Sequence, residues 1–168
     1  MATSALRALR DEFHNAEITA IQKPYVAEVL NGLDLVDHSL ASGNEKSLKS
    51  QFQLLTQLRR ERFDLAVLFP NSFRSACLSF LAGIPRRVGI QRDGRGWLLT
   101  DALPAGDRQV PHPAIDEYLR IVAHIIGVEQ ADSKPGSGLS RKMELAVTDA
   151  DQQRWSSFWN KQSAEFQR

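Results

Sequence analysis

The sequence predicts an α/β protein built on a Rossmann-like, doubly wound and mostly parallel sheet. Three observations carry that expectation. Strand-length apolar segments alternate with helix-periodic segments along the chain. Residues 64–69 form a strand-length segment that is continuously apolar from Leu65 to Phe69, the pattern of a strand covered on both faces. Several of the helical segments carry Ser or Pro at their start and Gly at their end.

Taken in order, residues 2–13 set Ala5, Leu6, Leu9 and Phe13 at helical spacing with charges between them, which predicts an amphipathic helix. Residues 17–21 alternate Ile18 and Ala20 against polar neighbours and read as a short strand. Pro24, Val26, Val29 and Leu30, followed by Gly32, give a short helix, and residues 35–40 a second strand. Ser42 and Glu45 have capping-box spacing ahead of a helix whose apolar face is Leu48, Phe52, Leu55 and Leu58 and whose end is basic at Arg59, Arg60 and Arg62. The strand at 64–69 leads to Ser72 as the cap of another helix, which Gly83 and Pro85 end.

Residues 87–90 predict a strand and residues 92–96 a basic, glycine-containing loop. His112 and Pro113 open a helix with the apolar face Ile115, Leu119, Val122 and Ile126, stopped by Gly127. Residues 131–140 have linker composition, residues 143–147 the pattern of a last strand, and a helix from about Asp149 carries Trp155, Phe158 and Trp159.

Composition narrows the function. A length of 168 residues with 42% hydrophobic content is enough for one domain with a sizeable core. Lys and Arg number 21 against 20 Asp and Glu, a balance that argues against nucleic acid as the main partner, so any electrostatic site is local. The single cysteine, Cys77, lies in an apolar run; a disulfide framework is excluded and a buried reduced thiol fits a cytoplasmic protein. No segment approaches the roughly 18 to 20 apolar residues that cross a bilayer. The start lacks the pattern of a secretory signal. A peripheral contact with a lipid-linked substrate is compatible with that composition.

Ligands of parallel α/β sheets bind beyond the carboxyl ends of the strands, which directs attention to the segments after Phe69 and after Ile90. In the first, residues 70–76, a helix start follows a buried strand, and Arg74 stands in the first turn against the helix dipole. Either a ligand anion or a protein carboxylate sits between them, or Ser72 is only a cap and Arg74 a solvated side chain. The second, residues 84–100, holds Arg86, Arg87, Arg92 and Arg95 against Asp93, with Gly94 and Gly96 open to close approach. A solvated turn is the plain alternative. The lone Gly-x-Gly lacks a dinucleotide fingerprint, and His112, His124 and Cys77 do not have metal-ligand spacing. His124 is read as packed or exposed rather than catalytic. Trp155, Phe158 and Trp159 read as a packing face before a sugar-stacking platform.

Three blocks then carry a resemblance: residues 1–10 (MATSALRALR), 62–76 (RFDLAVLFPNSFRSA), and 83–89 (GIPRRVG) continued by 92–100 (RDGRGWLLT). Their order and spacing over about residues 1–127 resemble the lipopolysaccharide heptosyltransferase II branch of glycosyltransferase family 9. The resemblance implies an inverting GT-B glycosyltransferase of two Rossmann-like domains. It implies transfer of heptose from ADP-heptose to the lipopolysaccharide inner core on lipid A at the cytoplasmic face of the inner membrane.

On that basis residues 1–147 are the acceptor-side domain and residues 148–168 a connecting helix leading to a nucleotide-sugar domain. The family's catalytic Asp loop and first strand precede the helix that here begins at Ala2, so no catalytic residue is assigned, and neither Asp11 nor Asp64 takes that role. The resemblance places acceptor binding at Asn71, Ser72, Arg74, Arg92 and Arg95, whose chemistry suits the carboxylates and phosphates of an inner core. No cofactor and no metal site is implied. Without the base and the donor site, this chain alone is expected to be inactive, since proximity is worth about 7 to 11 kcal/mol of barrier. Open strand edges at 17–21 and 64–69, or pairing between them, and marginal stability are expected as well. Two other readings compete: a non-catalytic module for an anionic glycan or lipid head group, and a nucleotide-binding Rossmann domain, which the absent fingerprint opposes.

Overall fold

The computed structural model describes residues 2–42, 47–106, 113–128 and 139–166, with backbone alone from 160 onward. Elements follow the expected alternation. Helix α1 (Thr3–Glu12) precedes strand β1 (Thr19–Gln22), α2 (Pro24–Leu30) and β2 (His38–Ala41). Then come α3 (Leu48–Glu61), β3 (Leu65–Leu68), α4 (Phe73–Leu81) and β4 (Arg86–Gln91). A 3-10 turn (Gly96–Leu98), β5 (Asp101–Pro104), α5 (Ala114–Ile126) and α6 (Asp149–Phe166) complete the order.

Among the described residues every strand pairing is parallel. The pairings fall into two sheets, β1-β2 and β3-β4-β5. Among the described residues β1 bonds only to β2 and β3 only to β4, so both present an unpaired edge and do not pair with each other. Leu65 faces Arg86 in the β3-β4 register and Val88 faces Asp101 in β4-β5.

The larger sheet lies between helices. On one side Val88 and Ile90 of β4 pack with Ala5 and Leu9 of α1 and with Leu119, Ile121, Val122 and Ile125 of α5. On the other, Leu68 meets Ala76 of α4 together with Leu98 and Leu99. Burial of these aliphatic side chains, at about 25 cal/mol per Å² of apolar surface, is the main stabilising term of the three layers. Gly127, with φ 74°, ends α5 in the left-handed conformation that a side chain disfavours.

Several expectations need correction. β2 begins at His38 rather than at 35, because Leu35 turns inward and is fully buried. The N-cap of α3 is Ser47, whose hydroxyl accepts from the Ser50 N–H, instead of Ser42; Glu45 lies outside the described residues. The stripe that α3 buries holds Leu54 and Leu58, while Leu48 and Phe52 are exposed; periodicity leaves the rotation of the face open, and packing on α4 decides it. The sequence carries little signal for β5, which is four residues long and ends in proline at a sheet edge.

Residues 143–147 are not a strand. Met143, Leu145 and Val147 are exposed, and side chains rather than a ladder tie this segment to α1. The Ser4 hydroxyl donates to the Lys142 carbonyl at 2.9 Å, and Arg7 pairs with Glu144 at 2.7 Å. Cys77 is free and half-buried at the rim of the second core cluster.

Candidate functional site

Two connections meet at the carboxyl ends of β3 and β4, and one buried arginine joins them. Arg95 has no exposed surface. Its Nε donates to the Ile90 carbonyl at 3.0 Å, and one terminal nitrogen donates to the carbonyls of Pro70 and, at 3.1 Å, Ser72. The other donates to Asn71 Oδ1 at 3.0 Å. The planar guanidinium thus collects carbonyl oxygens from both connections, a task its fixed fork of donors suits. Burial pushes its pKa down from the ordinary arginine value, with nearby Asp93 opposing the shift.

Local backbone makes room for this side chain. A Cβ on Gly89 would stand 3.2 Å from Leu68 Cβ and 3.4 Å from Arg95 Nη2. Asp93 and Gly94 both take positive φ, 51° and 72°, reversing the chain so that Arg95 points back under the loop.

Asn71 passes the contact on. Its amide donates to Glu117 Oε2 at 3.3 Å, and Arg92 Nη2 donates to Glu117 Oε1 at 3.0 Å. Glu117 lies in the first turn of α5, where a carboxylate complements the helix dipole. Arg95, Asn71, Glu117 and Arg92 therefore form one polar chain that spans β3, β4 and α5. Arg92 Nε is buried and has no hydrogen-bond partner among the described residues.

The side of Arg92 that reaches solvent lines an open groove of about 590 Å³, shared with Gln91, Asp93, Gly94, Gly96, Trp97, Pro104 and Ala105. Ser72 caps α4, accepting from the Ser75 N–H at 3.2 Å, and is exposed. Arg74 turns toward α3 and donates to Gln51 Oε1 at 3.1 Å. The three arginines that the resemblance places in acceptor binding do not converge on one cleft: Arg92 lines the groove, Arg95 lies beneath it, and Arg74 faces α3. Asn71, Ser72 and Arg95 are in mutual contact.

Glu117 and Trp97 were not singled out. Glu117 shows in the sequence only as an acidic residue in a first helical turn, which is common on any helix. His124 is half exposed, with Nε2 3.8 Å from Asp101 Oδ2. His112 lies outside the described residues. Trp155 stacks on Phe158 and Trp159, with centroids 6.1 and 5.6 Å apart, and all three are exposed. Among the described residues no group of three potential metal ligands comes together. No helix there is long and apolar enough to cross a membrane.

Comparison with known proteins decides the family. The model of glycosyltransferase family 9 (heptosyltransferase) matches residues 51–165, which contain the whole site. The chain belongs to glycosyltransferase family 9. Among curated members of this family 9 group, the chain is 30% identical over 104 residues to lipopolysaccharide heptosyltransferase 2 of Escherichia coli, covering 60% of the chain and 30% of that protein. It is 27% identical over 168 residues to lipooligosaccharide heptosyltransferase 2 of Haemophilus influenzae, covering 98% of the chain and 46% of the relative.

The family 9 chain shares its fold with the solved Escherichia coli ADP-heptose lipopolysaccharide heptosyltransferase II, with a TM-score of 0.70 at 22% identity over 94% of the chain and 46% of that structure. A family 9 glycosyl transferase from Veillonella parvula gives a TM-score of 0.70 at 19% identity, covering 96% of the chain and 45% of its own. The chain thus spans less than half the length of these relatives.

Proposed function

We propose that this family 9 chain supplies the acceptor side of a heptosyltransferase that moves heptose from ADP-heptose onto the lipopolysaccharide inner core at the cytoplasmic face of the inner membrane. The observation that carries the reading is the groove beyond β4, where Arg92 presents a cation held in place from behind by Glu117. A guanidinium so placed suits the phosphates and carboxylates of an inner-core glycan. Support for the donor comes from the relatives, whose names give heptosyl transfer and, for the solved Escherichia coli enzyme, ADP-heptose.

In this reading residues 1–147 form the acceptor domain and residues 148–168 connect it to a nucleotide-sugar domain. Arg92 contacts an acidic group of the acceptor, and the exposed Ser72 hydroxyl and Asn71 amide bond sugar hydroxyls nearby. Arg95 holds the two connections in register, and Arg74 extends the cationic surface toward α3. The chemical step is a direct displacement that inverts the anomeric carbon: a general base removes the proton of the acceptor hydroxyl, and ADP leaves with the bonding electron pair. None of the residues described here is assigned that base.

Calorimetric titration of the chain with deacylated, phosphorylated inner-core oligosaccharide tests the acceptor role. Binding that weakens about tenfold or more in Arg92→Ala is expected, since a charge-assisted bond is worth roughly 1.5 to 3 kcal/mol. Equal binding by the variant, or saturable binding of ADP-heptose in the same groove, would overturn the assignment.

A further inference from the structure

A row of aromatic side chains crosses the outer surface of α4 beside the groove. Trp97 stands between Phe73 and Phe80, with ring centroids 6.3 and 6.1 Å away, and Leu81, the residue after Phe80 on α4, is exposed as well. Trp97 is 69% exposed, and Phe73, Phe80 and Leu81 are each nearly half exposed. The largest apolar patch on a protein surface, about 300 to 600 Å² on an ordinary monomer, is often a functional one.

The edge of the row is cationic. The Arg87 guanidinium lies 5.4 Å from the Phe80 ring centroid, and Arg59 Nε donates to the Leu81 carbonyl at 3.0 Å. Both guanidinium groups bond backbone carbonyls, with no carboxylate partner among the described residues. Between Arg59 and Asp101 the sequence holds eight arginines and four acidic residues, although the whole chain carries only +1. Of these eight, Arg59 and Arg87 are the two that stand beside the rings.

We infer that Phe73, Phe80, Leu81 and Trp97, flanked by Arg59 and Arg87, dock the protein onto an anionic lipid bilayer. Aromatic rings with cations beside them are the side chains that settle at the headgroup level, the rings among upper acyl carbons and the guanidinium groups on lipid phosphates. The exposed apolar area is on the order of 400 Å², given that each aromatic side chain presents about 150 to 250 Å² in full. That is about half of what one partner contributes to a stable protein interface, which argues against a second copy of the chain as the occupant.

Trp97 belongs both to this row and to the groove of Arg92. Docking through it sets the groove against the layer from which a lipid-linked glycan projects. The inference deepens the reading of a lipopolysaccharide acceptor and rests on it for its purpose, but the lipid contact itself is separable from sugar recognition.

Sedimentation of the 168-residue chain with phosphatidylglycerol/phosphatidylcholine vesicles that contain no lipopolysaccharide tests it. Partitioning onto these vesicles, and much less onto pure phosphatidylcholine, is expected. Trp97→Ser should lower the partition coefficient about tenfold or more, and Arg59→Gln about fivefold. Trp155→Ser with Trp159→Ser, which alters the other exposed aromatic group, should leave it unchanged. Unchanged dichroism and melting temperature confirm that a weakened variant is folded, and Phe80→Ser provides a second probe of the row if Trp97→Ser is not.

Absence of vesicle binding, or loss only in the Trp155 and Trp159 variant, would overturn the inference. So would a dimer in light scattering that Trp97→Ser dissolves. Failure here with intact oligosaccharide binding would leave the acceptor reading standing, and the reverse result would leave the docking surface.

Discussion

Arg95 Nη2 donates to Asn71 Oδ1 at 3.0 Å, joining residues 24 apart in sequence at the ends of neighbouring parallel strands. Because this guanidinium is fully buried, its removal leaves the carbonyls of Ile90, Pro70 and Ser72 without their donor and opens a void beneath the groove. Arg95→Ala is expected to lower unfolding stability by about 3 kcal/mol or more in urea titration. Arg95→Lys keeps the charge but loses the fork and should cost about 2 kcal/mol. A neutral effect of both would show that the connections hold without the arginine.

Glu117 restrains Arg92 from behind, with one carboxylate oxygen 3.0 Å from Nη2. Neutralising that carboxylate leaves the cation freer to bond an incoming anion, while the amide oxygen of glutamine still accepts from Asn71. Glu117→Gln should therefore tighten binding of phosphorylated oligosaccharide about threefold to tenfold in calorimetry. Weaker binding would mean that the orientation of Arg92 matters more than its competing charge.

Ser72 caps α4 through its hydroxyl and also offers its carbonyl to Arg95. Ser72→Ala removes the cap together with the hydroxyl's bond to Ser75 Oγ at 3.0 Å and leaves the carbonyl in place. The expected loss is about 1 kcal/mol, seen as a fall in melting temperature of roughly 2 to 4 °C. Ser72→Asp retains the cap and should melt at or near the temperature of the parent.

Stability should fall in acid. The Asp37 carboxylate accepts from the Ile18 N–H at 2.7 Å and from Arg10 at 2.5 Å, and these bonds hold its pKa below the ordinary value. Glu144 is lowered by its bonds from Arg7. A carboxylate with a lowered folded pKa contributes stability that is present above its unfolded value, about 4, and lost as pH falls through the folded one. Urea midpoints measured downward from neutral pH should decline in that window, and Asp37→Asn should flatten the decline while lowering the neutral midpoint.

The order of elements was legible because apolar periodicity and cap residues are local signals: Pro24, Ser72 and Gly127 each stand where the structure starts or ends a helix. Sheet partition was not, since β1 and β3 owe their neighbours to contacts distant in sequence. The same limit applies at the site. Asn71, Ser72, Arg92 and Arg95 stood out through their position after strands and their chemistry. Burial alone separates Arg95 from Arg92, and nothing in the string of residues tells an arginine beneath a loop from one on its rim. Glu117 joins the site through a fold contact spanning 46 positions to Asn71, so its role becomes visible only in three dimensions.

Suspending both connections from one interior side chain has a consequence for recognition. In the proposed acceptor site, a ligand that bonds Ser72 and Arg92 would meet segments already fixed relative to each other, so association would freeze little additional motion and more of the contact energy would survive as affinity. The preorganisation is built during folding rather than at the moment of encounter.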